Sequence, residues 1–97
     1  LVAINNKENF DYSSLHGIYP NPFNPITNIH YSVSENTTVT ISVYDIKGKK
    51  IHSYAEMKKT KGNHSLQING SQWVSGIYFV EMIADDYRSI KKLMLIK

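Results

Sequence analysis

The sequence predicts an all-β, immunoglobulin-like antiparallel β-sandwich of about seven strands. Three observations predict it. Short segments of period-two alternation recur along the chain, rich in β-branched and aromatic residues. Turn residues punctuate these segments. Helix signals are nearly absent, with only Tyr54 to Lys59 able to form a turn or two. Six or seven short strands over about 80 residues fit two packed sheets, with a small barrel as the competing architecture. Neither architecture implies a function.

Residues 1–17 show little periodicity. Asn5, Asn6, Lys7, Glu8 and Asn9 form a polar run, with Asp11, Ser13 and Ser14 close behind. This stretch is expected to be a linker or the end of a preceding region, with one short strand around Phe10 to Leu15. The domain proper is expected over 18–97. All three prolines follow within Tyr19-Pro20-Asn21-Pro22-Phe23-Asn24-Pro25. Each fixes φ, lacks an N–H and biases its predecessor toward extended backbone, which excludes helix and central strand. A rigid loop is expected, with the Tyr19 and Phe23 rings anchoring it to the core.

Alternation then takes over. Ile29, Tyr31 and Val33 share one face, opposite His30 and Ser32. Val39, Ile41 and Val43 alternate with Thr38, Thr40, Ser42 and Tyr44. Ser34-Glu35-Asn36 is a turn between the two. Asp45-Ile46-Lys47-Gly48 places a side-chain acceptor first and a glycine where positive φ is needed, which predicts a tight hairpin with a glycine bulge. Lys50 to Tyr54 returns as a strand, and Ala55 to Gly62 is expected to be a lysine-rich loop. His64, Leu66 and Ile68 alternate again before the turn at Asn69-Gly70-Ser71. Gly76 to Ala84 is apolar on both faces as far as Glu81, which predicts a strand covered on both sides, with Ile77, Tyr78 and Phe79 in the core. Asp85-Asp86 turns the chain into a last strand, Tyr87 to Ile96.

The chain has 97 residues, 41% hydrophobic and 20% charged, and a formal charge of +3. That is ordinary composition for one globular domain. No apolar run approaches the ~20 residues that span a bilayer as helix. With Leu1 in place of an initiator methionine, and no signal peptide, the chain is expected to be a piece of a longer gene product. Cysteine is absent, which removes disulfides, thiolate metal sites and cysteine nucleophiles. Lysines at 47, 49, 50, 58, 59, 61, 91, 92 and 97 are spread over turns and edge strands, where lysine discourages aggregation. An acidic partner surface is the alternative reading.

No catalytic pattern emerges. His16, His30, His52 and His64 lack ligand spacing, and Asp85-Asp86 is too small a set of oxygens for calcium. No serine sits in a nucleophile elbow, and Gly48, Gly62, Gly70 and Gly76 are isolated in turns rather than grouped for phosphate. Most tyrosines fall at core positions of the strand pattern. Sequons beginning at Asn36, Asn63 and Asn69 read as turn composition. No cofactor, metal or nucleic acid is expected.

In their order, these segments resemble the type A C-terminal sorting domains of the bacterial type IX secretion system. That family overlaps with immunoglobulin-like modules related to the flagellar hook-assembly scaffold. The resemblance rests on five segments over residues 15 to 97. They are Tyr19 to Pro25 followed by Thr27, Ile29 and Tyr31; Val39 to Asp45 with Gly48, Lys49 and Ile51; Gly62-Asn63-His64; Ser75 to Phe79; and Lys91 to Lys97. Ile68, Asn69 and Trp73 depart from its usual residues, which touches packing. The resemblance implies a non-catalytic address label for an upstream cargo domain in the same polypeptide. It further implies partners in the outer-membrane translocon shuttle and a sortase, and passage through the periplasm to the cell surface or medium. The sorting motif it implies comprises Pro20, Asn21, Pro22, Asn24, Pro25, Asp45, Gly48, Gly76, Tyr78, Lys91, Lys92 and Lys97. A lysine-flanked last strand suggests strand addition to a receptor. The second class of function is an accessory binding module, for carbohydrate or protein, on a secreted enzyme or adhesin. Sugar binding needs exposed coplanar aromatics, so burial of Tyr31, Tyr44, Tyr78 and Trp73 counts against it.

Overall fold

Seven strands form among the described residues, and the alternating segments supply their inner faces. The computed structural model describes residues 13–97, with backbone alone for 55–57. The polar run expected as linker over 1–12 lies outside the described residues. In chain order the strands are β1 (Ser14–Tyr19), β2 (Ile26–Val33), β3 (Thr37–Asp45), β4 (Lys50–Lys59), β5 (Gly62–Asn69), β6 (Gly76–Ala84) and β7 (Tyr87–Leu95). The short strand expected around Phe10 to Leu15 at the end of the linker corresponds to β1, which runs from Ser14 through residue 17 to Tyr19.

Two antiparallel sheets result, ordered β1-β2-β5 and β4-β3-β6-β7. Between them lie Ile29, Tyr31 and Val33 of β2, Val39, Ile41 and Val43 of β3, Tyr78, Val80, Met82 and Ala84 of β6, and Leu93 and Leu95 of β7, all buried. The Leu15 amide donates to the Tyr87 hydroxyl at 2.9 Å, joining β1 to β7 across one side of the sandwich. Near the start of β6, the Tyr78 hydroxyl donates back to the Val74 carbonyl. This is the tyrosine corner of immunoglobulin-like sandwiches.

The β3–β4 turn decides where the fourth strand goes. Asp45 Oδ1 accepts from the Lys47 and Lys49 amides, both at 2.9 Å, and the Gly48 amide donates to the Asp45 carbonyl. Gly48 has φ 86°, and the register shifts between Val43 and Tyr44, as in a glycine bulge. So tight a turn returns β4 onto β3. In the constant-type immunoglobulin sandwich the fourth strand instead lies in the other sheet. A Cβ at Gly48 meets no atom within 4 Å, so substitution there acts through backbone strain alone. Gly48→Val is expected to cost about 1–2 kcal/mol, measured by urea denaturation; an unchanged midpoint would show that the turn tolerates any residue.

Three expectations need correction. Ala55 to Gly62 is not a loop: β4 runs to Lys59, and only Thr60 and Lys61 turn the chain. An edge strand needs no clean apolar alternation, and its lysines blunt the exposed edge. The same strand replaces the helical turn allowed at Tyr54 to Lys59. Second, β6 is covered on one face only. Tyr78 is in the core, whereas Ile77 and Phe79 are half-buried on the outer face, where no described strand packs over them. Third, Tyr19 is 62% exposed and lies over the His30 ring at 5.0 Å, so of the two rings only Phe23 anchors the proline loop in the core.

Among the described residues Tyr31 is the largest fully buried side chain, and its hydroxyl has no hydrogen-bond partner among them. Burial pushes its pKa up, so the group stays neutral. A buried, unpaired hydroxyl costs stability, whereas removing it leaves an apolar ring of nearly the same shape. Tyr31→Phe is expected to leave stability unchanged or raise it by about 1 kcal/mol, while Tyr78→Phe, which breaks a bond, loses about 1 kcal/mol. Thermal melts of the two variants check this, and equal losses would mean that Tyr31 has a partner.

Candidate functional site

Between Pro20 and Pro25 only Asn21, Phe23 and Asn24 retain a backbone N–H, so the segment cannot pair as an ordinary strand. It lies instead along the outward edge of β7. The Phe23 amide donates to the Met94 carbonyl, and the Ile96 amide donates to the Phe23 carbonyl, both at 2.9 Å. These bonds make a short parallel bridge between Phe23 and Leu95. Asn21 extends it with its side chain: Oδ1 accepts from the Met94 amide at 3.0 Å, and Nδ2 donates to the Lys92 carbonyl at 3.2 Å. The edge of β7 from Lys92 to Ile96 is thereby filled.

The loop is pinned at both ends. Buried Thr27 donates its hydroxyl to the Pro20 carbonyl at 2.7 Å, and the Gly70 amide donates to the Pro25 carbonyl at 2.8 Å. The Phe23 ring is 2% exposed. A Cβ on Gly70 would lie 3.2 Å from that ring and 3.1 Å from Trp73, so only glycine admits this packing without displacement. Trp73 in turn stacks on Tyr78 at 5.3 Å.

Most of the expected motif residues meet at this end. Gly76 pairs with Leu95, and Asp45 pairs with Tyr78, which brings the β3–β4 turn and Gly48 beside the Gly76 segment. A shallow cleft of about 220 Å³ separates the two, lined by Asp45, Ile46, Lys47 and the Val74–Tyr78 segment. Burial, and secondly the Asp45 carboxylate, push the Tyr78 hydroxyl pKa up, which keeps it a donor. Pro20, Pro22 and Asn24 are exposed on the loop, and Pro25 is half-buried. Lys97 closes the cluster: its amide donates to Ser75 Oγ at 3.0 Å and its Nζ to the Ser71 carbonyl at 2.7 Å.

The terminal lysines do not share one face. Lys91 pairs with Val80 on the inward side of β7, Lys92 pairs with Phe79 on the outward side, and Lys97 lies past the strand. The sequence reading placed Thr27 and Ser75 in the resembling segments and Gly70 and Ser71 in a turn, and left all four out of the sorting motif. Their bonds to Pro20, Pro25 and Lys97 are tertiary and carry no local signal.

Elsewhere, buried Glu81 accepts from the Tyr44 hydroxyl at 3.0 Å and from Arg88 Nε on the outer face of β6. The Glu81 hydrogen bond, then burial, raises the Tyr44 pKa. These three residues contain no nucleophile–base pair. The histidines are dispersed: His16 faces Ser32, His30 faces Tyr19, His52 faces Tyr54, and His64 faces Tyr31. No three His, Cys, Asp or Glu side chains converge among the described residues. Asn36 and Asn69 serve turns, accepting from the Lys61 and Ser71 amides.

In class, then, the chain is a tyrosine-corner β-sandwich module whose proline loop clamps its own last strand. The chain belongs to the family described as the secretion system C-terminal sorting domain, which matches residues 17–97. It is a non-catalytic secretion-signal domain of the type IX system, and it serves an exported protein. Among solved structures it is similar to PorZ of Porphyromonas gingivalis, an essential bacterial surface component of the type IX secretion system. Identity is 16% and the TM-score 0.57, over 84% of this chain and 11% of that one, a likeness of fold. No curated protein matches the chain.

Proposed function

We propose that this domain is the type A address of a longer polypeptide. Its upstream cargo crosses the inner membrane, and the folded domain is then received by the outer-membrane translocon shuttle. A sortase removes it as the cargo reaches the surface. The observation that carries the proposal is the convergence of the proline loop, the Gly76 turn and the end of β7 into one rigid corner. Because Asn21 and Phe23 already occupy the β7 edge, a receptor meets a finished surface of loops there, and strand addition at Lys92 to Ile96 is blocked. Lys47, Lys49, Lys92 and Lys97 surround the corner and favour an acidic counterpart.

The accessory-module reading has less support. Tyr31 and Tyr78 are buried, Trp73 packs partly against the core, and Tyr44 is half-buried. The deciding experiment fuses residues 13–97 to a periplasmic passenger in a host with type IX machinery. The passenger is expected at the cell surface, accessible to added protease in intact cells. Retention of a folded fusion in the periplasm would return the accessory module to first place.

A further inference from the structure

We propose that the edge of β5, unpaired among the described residues, is a strand-addition site for an extended segment of a partner protein, apolar at alternate positions and acidic at one end. Each of the other three sheet edges carries a feature that discourages pairing. β1 has a register shift between Leu15 and Gly17. β4 has two shifts and carries Lys50, Lys58 and Lys59. β7 carries Lys91 and Lys92 and is clamped by the proline loop. β5 has none of these. From Gly62 to Asn69 it contains no charged residue and no proline, and its eight pairs with β2 run without a shift. Long, regular, uncharged edges are the ones that accept another strand.

The geometry of the edge follows from its bonds. The Gly70 amide points toward the β2 side, at the Pro25 carbonyl. By alternation, the backbone groups of Asn63, Ser65 and Gln67 point away from β2. No described strand pairs with them.

What would cover the incoming strand's inner face is also visible. β1 packs against β7, so stepping across the three-stranded sheet leaves β4 with no strand opposite it. Accordingly Ile51 and Tyr54 are only partly buried, His52 is exposed beside Tyr54, and Leu66 of β5 is half-buried. The vacant place is the one that the fourth strand fills in a constant-type immunoglobulin sandwich. A segment of about six residues fits it. Alternate apolar side chains would cover Leu66, Tyr54 and Ile51. Lys59, paired with Thr37 on the inner-face register of β4, and Lys61, next to Gly62, lie at one end of the edge and select an acidic flank there.

The inference stands apart from the export reading, and its test uses the purified 97-residue chain alone. The probe is a synthetic peptide in which valine alternates with threonine, closed by glutamate at one end. A control peptide is N-methylated at alternate residues, which blocks one bonding edge. Amide hydrogen exchange is followed by NMR. With peptide at about ten times its Kd, exchange at Asn63, Ser65 and Gln67 is expected to slow about tenfold, and the methylated peptide to do nothing. Ser65→Pro removes an outward N–H without touching the β2 ladder and is expected to abolish the protection. If that variant does not fold, Ser65→Lys with Gln67→Lys serves instead. No protection at these three amides overturns the proposal, as does protection at Arg88 and Ile90 of β7. Protection without peptide, together with a dimer in sedimentation, would assign the edge to a second copy and overturn it too.

Discussion

Phe23→Ala is expected to lower the stability of the domain by about 3–5 kcal/mol, the range for emptying a buried aromatic site. The ring is 2% exposed and lies against Gly70, beside Trp73. Those neighbours cannot close the gap easily, because Gly70 is held by the Pro25 carbonyl and Trp73 by the Gly70 carbonyl. Against a total stability of about 5–15 kcal/mol, the loss is large. It should also be local in one readable way. The Met94 and Ile96 amides are held by Asn21 and by the Phe23 carbonyl, so releasing the loop speeds their hydrogen exchange more than that of Val43 or Val80 in the central strands. Urea denaturation and exchange together check it. A loss below about 1 kcal/mol, the ordinary figure for a point mutant, would mean that the backbone bonds hold the loop without the ring.

The inner faces of the sandwich were legible because burial imposes period two. Ile29, Tyr31 and Val33, then Val39, Ile41 and Val43, can be read as strands with the correct side inward. The same rule failed where burial does not act. β4 beyond Tyr54 lies at a sheet edge, and its lysines concealed a strand. β6 misled in the opposite direction: Ile77 and Phe79 are apolar, yet they lie on an outer face where, among the described strands, only neighbours in their own sheet shade them. The turn chemistry of Asp45 and Gly48 was legible, and it carries more than a hairpin, since it commits β4 to the sheet of β3.

The corner was legible as a set of residues and not as a mechanism. Asn21 was assigned to the motif by resemblance, but its partners are backbone groups of Lys92 and Met94, far along the chain. No local pattern encodes such a contact. Lys91, Lys92 and Lys97 look like one basic cluster in sequence, while the alternation of strand faces separates the first two and the strand end frees the third. Tyr78 was assigned to the core correctly, and its hydroxyl adds the corner bond to Val74.

Deleting residues 92–97 is expected to unfold the domain and to abolish export of its passenger. The deletion removes Leu93 and Leu95, which are 0% and 1% exposed. Each buried leucine is worth about 2–5 kcal/mol, so the pair alone approaches the whole stability of a small domain. The bonds from Phe23 and Asn21 to β7 go as well, with both contacts of Lys97 to the loop before β6. Loss of near-ultraviolet circular dichroism checks the unfolding, and a passenger confined to the periplasm checks the export. A truncated domain that still melts cooperatively would contradict the clamp. Because unfolding and loss of a receptor contact have the same effect on export, the separating variant is Lys92→Glu. Lys92 is exposed on the outward face, and no described side chain bonds to its ammonium. Such a surface change is expected to alter stability by at most about 0.5 kcal/mol. Lys97→Glu is a poorer probe, since its Nζ holds the Ser71 carbonyl. A folded Lys92→Glu domain that leaves its passenger in the periplasm places the receptor beside the proline loop. Normal export with normal stability places the receptor elsewhere.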